Sequence, residues 1–273
     1  MEDCSQGSVY PFEYRAALAL NNMAVAMMER SCCEQAFETF RDATVVMKQA
    51  FRDDNTSEPR TDHQGRHLAM QSIHTKLEQA YRRAAKPIPS KKTFNIRVLS
   101  DEANFDMALL APLTQPQRDT QSRQDAFHAL IRINTDEHLQ PTEKSVVDLI
   151  TTIILFNLAV VSLCHPRNDV KRSSAKKRRA DAISILNVCR ELLTSLYYDH
   201  AENPILRRTI SVLTTVVLYE LVQALHASER SQEAHAAADA LVELIWVTDT
   251  TSSHDDETLN LLFDAEHQVA PAA

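Results

Sequence analysis

Glycine is almost absent from this chain, and this feature constrains the fold more than any other. The 273 residues include two glycines, Gly7 and Gly65, whereas ordinary usage of roughly 7% would give about nineteen. Glycine supplies the positive φ angles and the close backbone approach that tight hairpins and phosphate-binding loops require. A helical protein needs glycine mainly at helix ends, where Asn, Ser or Asp can replace it. The composition therefore favours an all-α fold over a Rossmann or P-loop fold.

Apolar residues recur at helical spacing in seven stretches of the chain. The second stretch is preceded by Ser31 and Glu34, which have the S-x-x-E spacing of a capping box. The sixth is preceded by Asn203 as N-cap and begins with Pro204 at the first helical position. We expect these stretches to form helices within a single domain covering residues 1–273. The predicted helices span residues 12–30, 32–51, 67–85, 142–164, 173–198, 204–227 and 231–247.

The segment 86–141 differs from the helical stretches because it holds five of the ten prolines. Two short runs in it, 94–98 and 130–133, alternate apolar and polar residues, and we expect them to pair as a two-stranded ribbon packed on the helices. The segment is therefore predicted to be an extended or β insertion. Polar composition also predicts disordered loops at 53–66 and 113–125 and a flexible tail at 250–273.

Three of the predicted hairpins share one pattern of large and small apolar residues. The pattern begins at Leu20, Leu155 and Leu218, with a further apolar residue three positions later. A small residue follows on the first helix, at Ala24 and Ala159, although the last unit has valine there. Another small residue opens the second helix of each pair. The middle unit has eleven extra residues in its turn, and these contain a basic run.

This pattern resembles the tetratricopeptide repeat, in which small residues let two helices cross closely and large residues lock them. The stretch 21–36 also looks like an uncharacterised, expanded family of tetratricopeptide-like proteins from diatoms. The usual glycine of the first helix is here alanine or valine, and Lys48 stands where a typical repeat ends in proline. The resemblance implies antiparallel helical hairpins stacked as a short, irregular tetratricopeptide-like solenoid with a small extended or β insertion.

Tetratricopeptide arrays bind extended peptides on the concave face of their first helices. The resemblance thus implies a protein–protein interaction adaptor or scaffold that binds a peptide segment of an unknown partner in a helical groove. Paired amides suit this task because each donates and accepts hydrogen bonds. The alternative is that the asparagines bond neighbouring helices or inserts. The candidate groove residues are Asn21, Asn22, Met28, Asn157, Gln223 and His226.

A basic run near residue 175 stands out against the net charge of −8. The overall charge disfavours nucleic acid as a partner. The run itself fits a nuclear localisation signal or a patch for anionic surfaces, which gives the alternative function of a nuclear or anionic-surface-associated regulatory protein. We expect a cytoplasmic protein, with the nucleus as the alternative location. The candidate residues of this basic patch are Lys171, Arg172, Lys176, Lys177, Arg178 and Arg179.

The sequence gives little support to a membrane protein or an enzyme. Residues 149–164 carry no charge, but sixteen residues are fewer than the roughly 17–25 of most membrane helices, and the repeat pattern favours a core helix instead. The five cysteines include no C-x-x-C pair, which argues against a zinc site or a disulfide framework. Cys164 and His165 are adjacent in sequence and make a poor catalytic dyad. We therefore predict no catalytic, cofactor-binding or metal-binding residues.

Overall fold

A computed structural model describes residues 11–50, 63–87, 94–100, 105–112, 128–134, 144–164, 172–200 and 202–249. These ranges are mostly helical, which confirms the all-α prediction at that level. The helices are α1 (Pro11–Glu29), α2 (Cys33–Ala50), α3 (His63–Ala84), α4 (Lys144–Cys164), α5 (Arg172–Asp199), α6 (Pro204–His226) and α7 (Ser231–Asp249). The strands are β1 (Phe94–Ser100), β2 (Phe105–Pro112) and β3 (His128–Ile133).

The helices form pairs that follow one another along the chain. α1 packs on α2, α4 on α5, and α6 on α7, while α2 contacts α4 and α5 contacts α6. α3 begins four residues earlier than predicted and packs on α1 and α2, so the end of the predicted loop 53–66 is helical. The rest of that loop, the loop 113–125 and the tail 250–273 lie outside the described residues.

The small residues of the repeat pattern are buried in the first two helix pairs. Ala24 and Ala36 in the first pair and Ala159 and Ala182 in the second are fully buried. A methyl side chain lets two helix backbones approach closely, and the large neighbours then fill the remaining core volume. The first helices of the three pairs, α1, α4 and α6, each contact β3.

The turn between α1 and α2 contains a residue in the left-handed region. Ser31 has a φ of 60°, and its N–H donates to Met28 O at 2.8 Å while Cys32 N–H donates to Met27 O at 2.9 Å. These two bonds define a Schellman motif that ends α1, with Ser31 in the left-handed position usually taken by glycine. Ser31 thus ends α1, and α2 begins two residues later at Cys33. The capping bonds expected between Ser31 and Glu34 stay a prediction.

The turn between α6 and α7 repeats this geometry. Glu229 also has a φ of 60°, and Arg230 N–H donates to Leu225 O at 3.1 Å. Two hairpins thus end their first helix with a non-glycine residue in the left-handed region, as the shortage of glycine requires. The start of α6 follows the prediction, because Asn203 Oδ1 accepts from Leu206 N–H at 3.1 Å and Pro204 is the first helical residue.

The β insertion is a three-stranded antiparallel sheet in the order β1-β2-β3. The expected pairing of 94–98 with 130–133 is wrong, because β2 lies between the two strands: Ile96 faces Leu110, and Leu110 faces His128. β2 was missed because its sequence, FDMALLAP, has a continuous apolar run and no alternation. Such a run does not distinguish strand from helix.

α4 is the one described helix that is long and apolar enough to cross a membrane by length and composition. A core helix passes the same test, so this is weak support for a span. In the structure α4 packs against α2, α5 and β3, and Ile150, Ile154 and Phe156 are among its buried side chains. Its polar residues include Asn157, which is fully buried.

Candidate functional site

β3 lies across three helices and is held by their side chains. One edge of β3 pairs with β2, so alternate backbone groups along its other edge point toward α1, α4 and α6. Ala129, Ile131 and Ile133 are the residues whose backbone groups face the helices. We call the three side chains that bind them, Asn22, Asn157 and Glu220, the strand clamp.

Two asparagines each hold both backbone groups of one residue. Asn157 Oδ1 accepts from Ile131 N–H at 2.9 Å, and Asn157 Nδ2 donates to Ile131 O at 2.7 Å. Asn22 Oδ1 accepts from Ile133 N–H at 3.0 Å, and Asn22 Nδ2 donates to Ile133 O at 2.7 Å. The two amides therefore act as a substitute for a neighbouring strand, since they offer a donor and an acceptor at the spacing of every second residue.

Asn21 connects the two amides. Its side chain is fully buried and accepts from Asn157 Nδ2 at 2.9 Å. Asn21 Nδ2 donates to Ile131 O at 3.3 Å and to Asn22 Oδ1 at 3.2 Å. Every amide group in this small network has a partner, which is the condition under which buried polar groups stabilise a fold.

Glu220 holds the N-terminal end of β3. Its side chain is fully buried, with Oε1 accepting from Ala129 N–H at 2.9 Å and Oε2 lying 3.0 Å from His128 Nδ1. Burial by itself lowers the pKa of His128, but Cys164 and Glu220 raise it, through their charge and their hydrogen bonds to the ring, well above 6.5. A protonated imidazole thus neutralises the buried carboxylate.

The strand clamp occupies one position of the repeat pattern. Asn22, Asn157 and Glu220 each stand two residues after the leucine that begins a unit, which is Leu20, Leu155 or Leu218. Equivalent positions point in the same direction from helices packed in the same way. Glu220 was not predicted because the repeat pattern was defined by apolar positions, and aligning the polar residues of the three units would have found it.

The side chains of β3 are also enclosed. Ala129, Leu130, Ile131 and Ile133 are buried, so both faces of the strand are covered. Arg132 is the exception, with a half-exposed side chain that donates two hydrogen bonds to the Glu29 carboxylate, at 2.7 and 2.8 Å. β3 is therefore held by its backbone, by its apolar side chains and by ion pairs at Arg132 and His128.

The other candidate groove residues lie apart from the strand clamp. Met28 is fully buried among core side chains, so it does not line an exposed groove. Gln223 is half-buried further along α6. His226 is exposed at the end of α6, where its ring meets that of His235 edge to face, with 6.1 Å between the ring centres. The structure thus joins Asn21, Asn22 and Asn157, and it does not join Met28, Gln223 and His226 to them.

The basic patch begins a helix instead of forming a turn. α5 starts at Arg172, while Lys171 lies outside the described residues. Lys176 and Lys177 are exposed, and Arg178 is half-buried. Arg179 Nη1 donates to Ala227 O at 2.5 Å, at the C-terminal end of α6. Part of the patch therefore joins two helices, and the two lysines face solvent.

Within the described ranges, no group of three or more His, Cys, Asp and Glu side chains has the arrangement of a metal site. The resolved cysteines are all free thiols. Burial raises the pKa of Cys189 to about 12, so this thiol stays protonated and unreactive at neutral pH.

Comparison with known proteins gives no relatives: no family model, no curated protein and no solved structure matches the chain. The resemblance to tetratricopeptide repeats and to the diatom family therefore rests on the sequence pattern alone.

Proposed function

We propose that this protein is a protein–protein interaction adaptor with a short tetratricopeptide-like array of helices, whose groove binds an extended peptide segment. The strand clamp is the observation that supports the proposal. Its three side chains hold five backbone groups of an extended segment. β3 is then the chain's own occupant of the groove, and a partner segment takes its place.

The hydrogen bonds of the strand clamp select an extended backbone conformation, and they do not depend on the amino-acid sequence of the bound segment. They are made to main-chain N–H and C=O groups at every second residue, which any extended peptide presents. Selectivity comes from the enclosed side chains, since the positions of Leu130, Ile131 and Ile133 accept only apolar residues without leaving polar groups buried. The partner expected here is an extended segment with apolar residues at these positions and a basic residue opposite Glu29.

Replacement of β3 is limited by its attachment to the same chain. A tethered segment acts at an effective concentration in the millimolar range, so a free peptide competes poorly while β3 is fully held. A partly exposed contact that holds β3 is the ion pair between Arg132 and Glu29, whose side chains are 39% and 24% exposed. Loosening this pair should admit a competing peptide without unfolding the core.

The test is binding of a fluorescently labelled peptide with the sequence of residues 127–134 to the full-length protein, followed by fluorescence anisotropy. Arg132→Ala is expected to bind the peptide more tightly than the wild type, by up to about fivefold, because breaking an exposed pair costs the resident strand up to about 1 kcal/mol. A peptide with residue 131 changed to proline should bind more weakly, since it cannot donate to Asn157.

Arg82→Ala is the matched control, because it breaks an exposed Arg–Glu pair within α3. It should bind the peptide as the wild type does. The proposal would be overturned if no protein gave saturable binding while circular dichroism showed all of them to be folded, or if the proline peptide bound equally well.

A second candidate function uses the exposed lysines at the start of α5. Lys176 and Lys177 face solvent together, as a localisation signal or an anionic-surface patch requires. Lys176→Ala with Lys177→Ala should then shift a fluorescently tagged protein out of the nucleus or off an anionic surface. An unchanged distribution in living cells would remove this candidate, and circular dichroism should show an intact fold.

A further inference from the structure

β1 is the outer strand of the sheet, on the side away from the helices. β2 lies between β1 and β3, and among the described elements β2 is the one that packs broadly on β1. The pairing of the two strands runs without a bulge from Phe94 opposite Pro112 to Ser100 opposite Asp106. β1 contains no proline. Soluble proteins usually interrupt such edges with bulges or prolines, because a regular edge pairs readily with another strand.

The hydrogen bonds of β3 determine which residues of β1 point outward. In β3 the backbone groups of the odd-numbered residues face the helices, so the even-numbered residues bond to β2. These stand opposite even-numbered residues of β2, which leaves the odd-numbered residues of β2 to bond to β1. Their partners in β1 are again odd-numbered. Ile96 and Val98 therefore direct their N–H and C=O groups away from β2, and we call this row of groups the open edge.

We propose that the open edge pairs antiparallel with the open edge of a second copy of this chain, so that two three-stranded sheets join into one of six strands. The pairing is centred on Ile96, which stands opposite Ile96 of the partner subunit, and Val98 stands opposite the partner subunit's Phe94. Both copies offer the same strand, so the contact is closed by a two-fold axis and does not extend into a filament. This surface is separate from the strand clamp, which holds the opposite edge of the sheet.

The sequence of β1 matches itself in this register. Residues 94–98 alternate apolar and polar residues in an order that is the same in both directions, so apolar residues stand opposite apolar ones and polar residues opposite polar ones. Arg97, the one charged residue of β1, stands opposite the partner subunit's Asn95, whose amide oxygen is an acceptor. A pairing centred on Arg97 would place two arginines opposite each other, which is destabilising. Charge and alternation thus both select Ile96 as the centre.

The position of β1 leaves room for a second copy. Neighbouring strands lie about 4.8 Å apart, so β1 is about 10 Å from β3, the strand on which α1, α4 and α6 pack. In the joined sheet the described helices of the two copies are separated by all six strands. A second copy also supplies the matching alternation by identity, whereas an unrelated segment would need the same order of residues.

Sedimentation velocity of the full-length protein over a series of micromolar concentrations tests the proposal. The wild type should convert from a monomer of 30.8 kDa to a species of twice that mass as the concentration rises. Ile96→Pro should weaken the dimer at least about tenfold, because proline lacks the N–H and each copy loses one hydrogen bond across the axis. The bonds between β1 and β2 remain, since proline is tolerated where the N–H points away from the sheet.

Ile96→Val is the matched control, because it keeps the N–H and a β-branched residue, and it should dimerise as the wild type does. The proposal would be overturned by a wild type that stays monomeric at every concentration, whether another segment of the chain or a different protein covers the open edge. An Ile96→Pro variant that dimerises equally well, with circular dichroism showing a folded protein, would overturn it too.

Cysteine cross-linking of the folded protein tests the register without relying on proline. Ile96→Cys should give a disulfide-linked dimer under mild oxidation, because opposite residues of an antiparallel pair have Cα atoms about 5.5 Å apart, within the span of a disulfide. Val98→Cys is the matched control: its two copies lie four residues apart along the pair, about 14 Å, and should not cross-link. The wild type gives the background from the native cysteines. Ile96→Cys cross-linking no more than the wild type, or no more than Val98→Cys, would overturn the proposal.

Discussion

The two ends of β3 are held by different chemistry, although the helices that hold them share one sequence pattern. At the C-terminal end, Asn22 donates to and accepts from Ile133. At the N-terminal end, Glu220 only accepts, taking Ala129 N–H with one oxygen and His128 with the other. An amide completes the bonding of a backbone, whereas a carboxylate ties the backbone to a titratable ring. One end of the strand clamp is therefore a fixed anchor, and the other can respond to charge.

The largest expected effect is at the middle of the strand clamp. Asn157→Ala should lower the free energy of unfolding by about 3 kcal/mol, because it leaves Ile131 N–H, Ile131 O and Asn21 Oδ1 with fewer or no partners in a buried site. Urea unfolding followed by circular dichroism measures this.

Asn187→Ala is the matched control, since Asn187 is half-buried and bonds only to Ile183 O within its own helix. It should cost less than about 1 kcal/mol. Equal costs for the two variants would show that the amide of Asn157 does not hold β3.

Replacing the amide at one end of β3 by a carboxylate, and the carboxylate at the other end by an amide, compares how much each contributes to stability. Asn22→Asp should cost about 2 kcal/mol at pH 7, because an ionised carboxylate cannot donate to Ile133 O and places charge against it. Glu220→Gln should cost about 1 kcal/mol, because its amide oxygen still accepts from Ala129 N–H while the charged pair with His128 is lost. Urea unfolding of both variants under one condition tests the order. A larger cost for Glu220→Gln would mean that the ion pair outweighs the bonding of the backbone.

The pair of His128 and Glu220 at the N-terminal end of β3 predicts that the free energy of unfolding depends on pH. The pKa of folded His128 lies above its ordinary value of 6.5, so protonation favours the folded state; the stabilisation is complete below about 6.5 and is lost as pH rises through the raised pKa. The groups that face the ring are Glu220 and Cys164. The stability gap between wild type and His128→Gln should thus be widest near pH 6 and narrow toward pH 9.

The stability difference between wild type and His128→Gln should not change with pH by more than the cost of Glu220→Gln. Both substitutions remove the same His128–Glu220 pair. Urea unfolding at several pH values gives the comparison. Asn187→Ala, which removes no titratable group, is the control and should differ from wild type by a constant amount. A gap for His128→Gln that widened with pH would contradict the predicted sign.

The smallest effect concerns the turn that ends α6. Glu229→Gly should raise the free energy of unfolding by about 0.5–1 kcal/mol, because Glu229 has a φ of 60° and glycine occupies that region without a Cβ clash. Ala227→Gly, at a φ of −64°, should lower stability instead, since glycine there only adds freedom to the unfolded chain. Thermal unfolding of both variants measures these changes. A loss of stability in Glu229→Gly would contradict the prediction that glycine is favoured at this position.

Local patterns predicted the helices well because each helix buries one stripe of apolar residues and is ended by nearby residues. The Asn203 cap was predicted for the same reason. The left-handed conformation of Ser31 was not predicted, because glycine is the usual residue at that position and serine gives no such signal. The strand pairing failed because β2, with its unbroken apolar run, has no local signature of a strand.

The candidate site was predicted in part. Asn21, Asn22 and Asn157 were grouped by their place in the repeat, and the alternative that such asparagines bond an insert describes their contacts with β3. The proposal that the groove also binds a partner remains a prediction. Glu220 and His128 were not predicted, because they lie far apart in the sequence and only the tertiary structure brings the two side chains into contact.

The sequence by itself determined a glycine-poor chain of helical hairpins, with small residues at the crossings and a polar residue at one recurring position of three first helices. These properties depend on residues close together in the chain. The tertiary structure alone decided that β3 lies against α1, α4 and α6, that its free edge meets those polar residues, and that His128 meets Glu220. Such contacts join residues up to 111 positions apart, and they arise because the unpaired edge of a strand must find hydrogen-bonding partners when it is buried.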